Sequence, residues 1–123
     1  MKLLVIDDQE PVSLIVAEVA AQCGWSTANT TDSTDALNMV REEKIDVLLL
    51  DYVMPGKNGM EVIEELRNNG VRIPVILFSA FSDQIDRDKA QLLNVLSILS
   101  KPIRIGDLRK ALSEAARMVQ KSV

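Results

Sequence analysis

The sequence predicts a doubly wound α/β fold, a five-stranded parallel sheet with helices on both faces. Short, continuously apolar runs such as residues 3–6 and 47–50 read as strands buried on both sides, not as alternating edge strands. Between such runs lie segments with apolar residues at helical spacing, so strand and helix alternate strictly with short connections. Five strand–helix units are too few for an eight-fold barrel, and no period of roughly 20–50 residues repeats, which disfavours a solenoid.

The elements follow in order. Leu3 to Ile6 is the first strand. After Glu10-Pro11, with proline suited to a first helical turn, Val12, Ile15, Val16, Val19, Ala20 and Cys23 keep helical spacing until Gly24 stops the helix. Residues 25–30 form a weaker strand, and Asp32-Ser33-Thr34-Asp35 supplies caps for a helix carrying Ala36, Leu37 and Val40. Residues 46–51 are the clearest buried strand. Pro55, Gly56 and Gly59 then fit a tight turn, and Val62, Ile63 and Leu66 form the inner stripe of a helix ending near Gly70. Residues 73–78 are the fourth strand, 83–93 a polar and loosely held helix, and 96–100 the fifth strand. The final helix, about 106–120, places Leu108, Ala111, Leu112, Ala115 and Val119 opposite Arg109, Lys110, Glu114 and Arg117.

Composition bounds the function. With 123 residues, 47% hydrophobic and 26% charged, and a mean hydropathy of +0.09, the chain can bury a core, and one domain over residues 1–123 is expected. The absence of histidine excludes a Ser-His-Asp triad, a His-ligated zinc and an imidazole switch. A single cysteine, Cys23, allows no internal disulfide and is expected to fill the core. Fourteen basic against eighteen acidic residues, with Trp25, Tyr52, Phe78 and Phe81 as the only aromatics, argue against direct nucleic-acid binding. The apolar N-terminal run breaks at Asp7-Asp8, too short for a signal peptide or membrane span, so a cytoplasmic protein without membrane contact is expected.

In sheets of this kind ligands bind at the carboxyl ends of the strands. There the chain places Asp7-Asp8, Asp51, Ser79 and Lys101-Pro102. Singly, each reads as a cap, a turn former or a solvated amine. Jointly, three crowded carboxylates cost on the order of several kcal/mol in repulsion and desolvation, so a cation belongs among them. Oxygen ligands without His or Cys favour a hard ion, and a site able to keep its waters favours Mg²⁺ over Ca²⁺. With Lys101 as a second positive charge, the group forms a cradle for a phosphoryl group attacked in line by a carboxylate, and the product is an aspartyl phosphate.

These residues, with Asp51-Tyr52-Val53-Met54-Pro55-Gly56-Lys57-Asn58-Gly59, Ser79-Ala80 and Lys101-Pro102, resemble the receiver domain of two-component response regulators from residue 1 to about residue 120. The resemblance implies a flavodoxin-like sheet of order 2-1-3-4-5. It implies Asp51 as phospho-acceptor, Mg²⁺ held by Asp8, Asp51 and the Val53 carbonyl, and Asp7 orienting the ion's water. Lys101 would contact phosphoryl oxygens, Ser79 would swing to hydrogen-bond one of them, and a cis Lys101-Pro102 bond would aim the lysine inward. Two features depart from the family pattern. Ile98 stands where a switching Tyr or Phe is usual, and Asn94-Val95 replaces a small Gly-Ala pair, which implies a remodelled surface on the fourth helix, fifth strand and fifth helix. Phe81 reads equally as a shield for the acyl phosphate or as a partly buried loop aromatic.

Lacking histidine, the chain must receive its phosphoryl group from outside, from a sensor histidine kinase, a histidine phosphotransfer protein or a small phosphodonor. Slow self-catalysed phosphorylation and dephosphorylation are expected, not enzymatic turnover. A competing class is an aspartyl-phosphate-forming phosphatase, but such enzymes place a general acid two residues after the nucleophile, where this chain has Val53. A flavin binder on the same sheet is disfavoured because Asp7-Asp8-Gln9-Glu10 would repel a phosphate lacking a metal. The last helix is a candidate partner face, for a homodimer through the fourth helix, fifth strand and fifth helix, with an ordinary solvated helix as the default. Either a stand-alone regulator acting on a separate output partner or a receiver from a longer protein is expected.

Overall fold

Five strands pair into one sheet in the computed structural model, four of them rich in apolar residues and the second, Ser26-Thr27-Ala28-Asn29-Thr30, mostly polar; the structure describes residues 1–8, 10–54 and 56–121. Gln9 in the acidic stretch and Pro55 in the expected turn lie outside the described residues. The strands are β1 (Lys2–Ile6), β2 (Ser26–Thr30), β3 (Val47–Asp51), β4 (Val75–Ser79) and β5 (Val95–Ser100). All pairings are parallel and the order is β2-β1-β3-β4-β5, as expected. The helices are α1 (Glu10–Gln22), α2 (Ala36–Glu42), α3 (Gly59–Asn68), α4 (Arg87–Leu92) and α5 (Ile105–Lys121). No helix among the described residues is long and apolar enough to cross a membrane.

The period-two alternation of the central strands divides the core into two layers. Leu4, Ile6, Leu48, Leu50, Val75 and Leu77 pack with Ala36, Val40, Met60, Ile63, Leu66 and Ala90 from α2, α3 and α4. On the other face Leu3, Val5, Val47, Leu49, Ile76 and Phe78 meet Val16, Val19 and Ala20 of α1 and Leu108, Ala111, Leu112 and Ala115 of α5. β3 and β4 are buried along their whole length, which explains their unbroken apolar sequences, whereas the edge strands β2 and β5 are partly exposed.

Local chemistry sets the boundaries. Gly24 adopts φ +83° just beyond α1, a left-handed stop that glycine takes without a Cβ penalty. Asn58 caps α3 reciprocally with Glu61: the Glu61 N–H donates to Asn58 Oδ1 at 2.9 Å, and the Asn58 N–H to Glu61 Oε1 at 3.0 Å. β4 begins at Val75 and not at residue 73. The Ile73 carbonyl accepts from Arg67 Nη1 at 2.9 Å, and Pro74 has no N–H to give a ladder.

Three expectations are corrected. The polar helix expected at 83–93 is a 3-10 turn, Ser82–Gln84, followed by the six-residue α4, because Ile85 takes an extended conformation and turns into the core. Asp86 then caps α4, accepting from the Lys89 N–H at 3.1 Å. Cys23 does not fill the core: α1 is unwinding there, its N–H shared between the Val19 and Ala20 carbonyls, and the side chain is exposed. Ile15, placed on the inner stripe of α1 by spacing, is 52% exposed, since Val16, Val19 and Ala20 carry the burial.

Candidate functional site

The parallel sheet brings its strand ends together. Asp7 follows β1, Asp51 closes β3, Ser79 closes β4 and Lys101 follows β5. Asp7, Asp51 and Ser79 are buried, whereas Asp8 is exposed in the turn after β1. Asp7, Asp8 and Asp51 each offer a carboxylate oxygen, and these oxygens lie within 4.8 Å of one another. Burying two carboxylates beside a third requires compensation. Lys101 supplies part of it, with Nζ 2.9 Å from Asp51 Oδ2 and 3.8 Å from Asp7 Oδ2.

The other Asp51 oxygen is also held. The Val53 N–H donates to Asp51 Oδ1 at 3.1 Å, so the acid is oriented from both sides. Ser79 Oγ accepts from the Phe81 N–H at 3.0 Å, and the Ser79 carbonyl accepts from the Lys101 N–H at 2.9 Å. The Lys101–Pro102 peptide bond is cis. A cavity of about 220 Å³ is lined by Asp8, Asp51, Val53, Ser79, Ala80, Phe81 and Lys101. Val53 and Phe81 are each 52% exposed at its mouth. The all-carboxylate donor set fits a hard divalent cation such as Mg²⁺.

Ile98 is not brought into this cavity. It pairs with Leu77 in β5 and packs, half-buried, on the α2–α4 side of the core. Three features escaped the reading of the sequence. Phe78 is the register partner of Asp51, and Lys101 Nζ lies 4.9 Å from its ring centroid. Ser82 Oγ and Ser100 Oγ, 2.6 Å apart, tie the loop after β4 to β5. Gly59 is not a turn residue but the first residue of α3, packed so closely under the site that a Cβ there would lie 2.9 Å from the Asp51 carbonyl oxygen. The only advance signal for these was strand order; register and close approach are tertiary.

A doubly wound parallel sheet with an acidic cluster at its strand ends and a lysine across from it defines a class of α/β protein with its polar site at the carboxyl edge of the sheet. The chain matches the response regulator receiver domain family over residues 3–113 and belongs to it. Its class is therefore the receiver domain of two-component signalling. It is 28% identical over 113 residues to sporulation initiation phosphotransferase F of Bacillus subtilis (strain 168), covering 92% of this chain and 91% of that protein. Among solved structures, a response regulator receiver domain protein from Clostridium thermocellum is similar at 25% identity and a TM-score of 0.88, covering 99% of this chain and 98% of that one. The receiver domain of the Francisella response regulator 1452 shares the fold at 23% identity and a TM-score of 0.84, with coverage of 99% and 98%.

Proposed function

We propose that the chain, acting as one unit over residues 1–123, accepts a phosphoryl group on Asp51 from a phosphohistidine of a histidine kinase or phosphotransfer protein in the cytoplasm. The observation that carries this reading is the 2.9 Å contact between Lys101 Nζ and Asp51 Oδ2 at the buried end of the acidic cluster. An Asp51 carboxylate oxygen forms the new bond to phosphorus as the P–N bond of the donor breaks, and the imidazole leaves with its electron pair. Mg²⁺, held by Asp8 and Asp51 with the Val53 carbonyl and with Asp7 behind them, would neutralise phosphoryl oxygens when bound. Lys101 gives its ammonium to a second phosphoryl oxygen. Similarity to a sporulation phosphotransferase supports a histidine-containing protein as donor.

Ser79 connects chemistry to output. Its hydroxyl oxygen accepts from the Phe81 N–H, so turning toward a phosphoryl oxygen gives up that bond and moves the loop before α4. Ile98 cannot supply a moving ring, and the readout falls to the loop and to the face formed by α4, β5 and α5, where Leu92 is 82% exposed. That face is the one through which a homodimer would form.

The test is labelling with acetyl phosphate. Labelling should require Mg²⁺ and disappear in Asp51→Asn; stoichiometric labelling of that variant would overturn the assignment. Rapid multiple turnover of a small phosphomonoester would favour a phosphatase instead.

A further inference from the structure

We infer that Phe78 is a positioning residue for Lys101: its ring and the Asp51 carboxylate form the two walls of a seat that holds the ammonium at the acceptor before a phosphoryl group arrives. The inference rests on the reading of Lys101 as a phosphoryl contact.

The geometry begins in the sheet register. Asp51 and Phe78 are paired positions on β3 and β4, so their side chains leave the same face side by side. That is the face on which Leu49 and Ile76 pack against α1 and α5. Lys101 arrives from the end of β5, and its Nζ lies 4.9 Å from the Phe78 ring centroid and 2.9 Å from Asp51 Oδ2. The first distance is inside the ~6 Å range at which an ammonium is attracted by the negative face of an aromatic ring. The ring cannot move aside, because Phe78 is fully buried in the core layer beneath.

The choice of an aromatic here has a chemical consequence. A lysine stem is flexible, and carboxylates alone would let its amine wander between Asp51, at 2.9 Å, and Asp7, at 3.8 Å. A polar neighbour at position 78 would fix the amine but take up one of its three N–H donors. An aliphatic one would fill the volume without attracting the charge. The ring attracts the ammonium through its face and leaves N–H donors for an incoming phosphoryl oxygen.

Site-specific replacement of Phe78 by phenylalanines with increasing ring fluorination weakens the negative ring face while keeping nearly the same shape. Two quantities are measured: the rate of Mg²⁺-dependent labelling by acetyl phosphate, and the order of the Lys101 ε-carbon by ¹³C relaxation in the unlabelled protein. The expected result is a stepwise loss of Lys101 order and a total slowing of about three- to tenfold, tenfold being ~1.4 kcal/mol, with the unfolding midpoint nearly unchanged. A purely space-filling role for Phe78 would move neither quantity. Wild-type rate with wild-type order in the pentafluoro protein overturns the inference, as does a change in only one of the two. Absence of labelling in the unsubstituted protein defeats the phospho-acceptor reading instead, and Lys101 order then decides by itself whether the ring holds the amine.

Discussion

Lys101 Nζ lies 2.9 Å from Asp51 Oδ2, joining residues fifty positions apart in the chain. The same ammonium faces Asp7 Oδ2 at 3.8 Å, so one cation serves two buried carboxylates. Removing it in Lys101→Met takes the Lys101 charge away from both acids. The expected loss is about 1–3 kcal/mol, below the range for a fully enclosed pair because the Lys101 side chain is 16% exposed. Mg²⁺ should narrow the gap, because the ion binds more tightly where no ammonium competes for the carboxylates, and each tenfold difference in Kd between variant and wild type is worth about 1.4 kcal/mol at saturation. Urea midpoints with and without Mg²⁺ measure both effects, and equal midpoints for the two proteins in metal-free buffer would show that the pair contributes nothing.

Gly59→Ala should damage stability and chemistry together. The added Cβ would lie 2.9 Å from the Asp51 carbonyl oxygen, the Tyr52 Cα and the Leu77 Cδ2. Two of these are backbone atoms of the segment that carries Asp51, so relief requires moving it. A destabilisation of about 1–3 kcal/mol is expected, with slower acetyl phosphate labelling. Gly106→Ala is the control: nothing lies within 4 Å of its Cβ, and the substitution within α5 should be neutral or stabilising by up to about 1 kcal/mol. Equal effects of the two substitutions would remove the steric explanation.

How much was legible follows from the range of each interaction. The apolar runs of β1, β3 and β4 are a local record of burial, and their termini place Asp7, Asp51 and Ser79 together once the strands are parallel and adjacent. Lys101 could be added because β5 closes the same edge. Phe78 reads as one more core residue until the register pairs it with Asp51. Arg67, in the last turn of α3, is only 7% exposed because the Leu93 and Asn94 carbonyls, remote in sequence, converge on it with those of Val71 and Ile73, a meeting that no local pattern records. Ile15 and Cys23 kept helical spacing and were nevertheless exposed, since spacing defines a stripe but not where a partner helix ends.

Arg67→Lys should loosen the turn between α4 and β5. The Arg67 guanidinium donates to the carbonyls of Leu93 (2.9 Å), Val71 (3.0 Å), Ile73 (2.9 Å) and Asn94 (3.3 Å), bracing that turn against the end of α3. Burial, with Arg72 nearby, lowers its pKa from the ordinary value, so the carbonyls must compensate for lost hydration. A lysine keeps the charge but not the planar fork, leaving carbonyls unsatisfied at an expected loss of about 2–3 kcal/mol. Chemical denaturation gives the total, and amide exchange should accelerate at Leu93, Asn94 and Val95 more than in β1 or β3. Uniform acceleration would contradict a local brace.

Asp32 should contribute a small pH dependence in the acid range. The Thr34 hydroxyl at 2.6 Å and its N–H at 2.9 Å both donate to Asp32 Oδ1, holding the carboxyl below the ordinary aspartate value of 3.8. A folded-state pKa below the unfolded one contributes stability that is complete above the unfolded value and lost as pH falls through the folded one. Asp32→Asn keeps a capping oxygen but does not titrate. The advantage of the wild type over this variant should be constant above about pH 5 and shrink below about pH 4. An advantage undiminished at about pH 3 would exclude the carboxylate as its source.

Ser82 Oγ and Ser100 Oγ, 2.6 Å apart, restrain the loop that would move in the proposed turn of Ser79 toward a phosphoryl group. One partner stands three residues beyond Ser79 and the other directly precedes Lys101, so this bond couples the two strand ends that carry Ser79 and Lys101. An exposed hydroxyl pair is worth about 0.5–1 kcal/mol, the lower part of the usual range. Its loss should raise amide exchange at Phe81 and Ser82 by about two- to fivefold with little effect on global unfolding. Ser82→Ala and Ser100→Ala should each produce that change, and the double variant should add almost nothing further, because either substitution already removes the shared bond. Additive effects would mean that the hydroxyls act independently, and the loop would then be restrained by its backbone contacts alone.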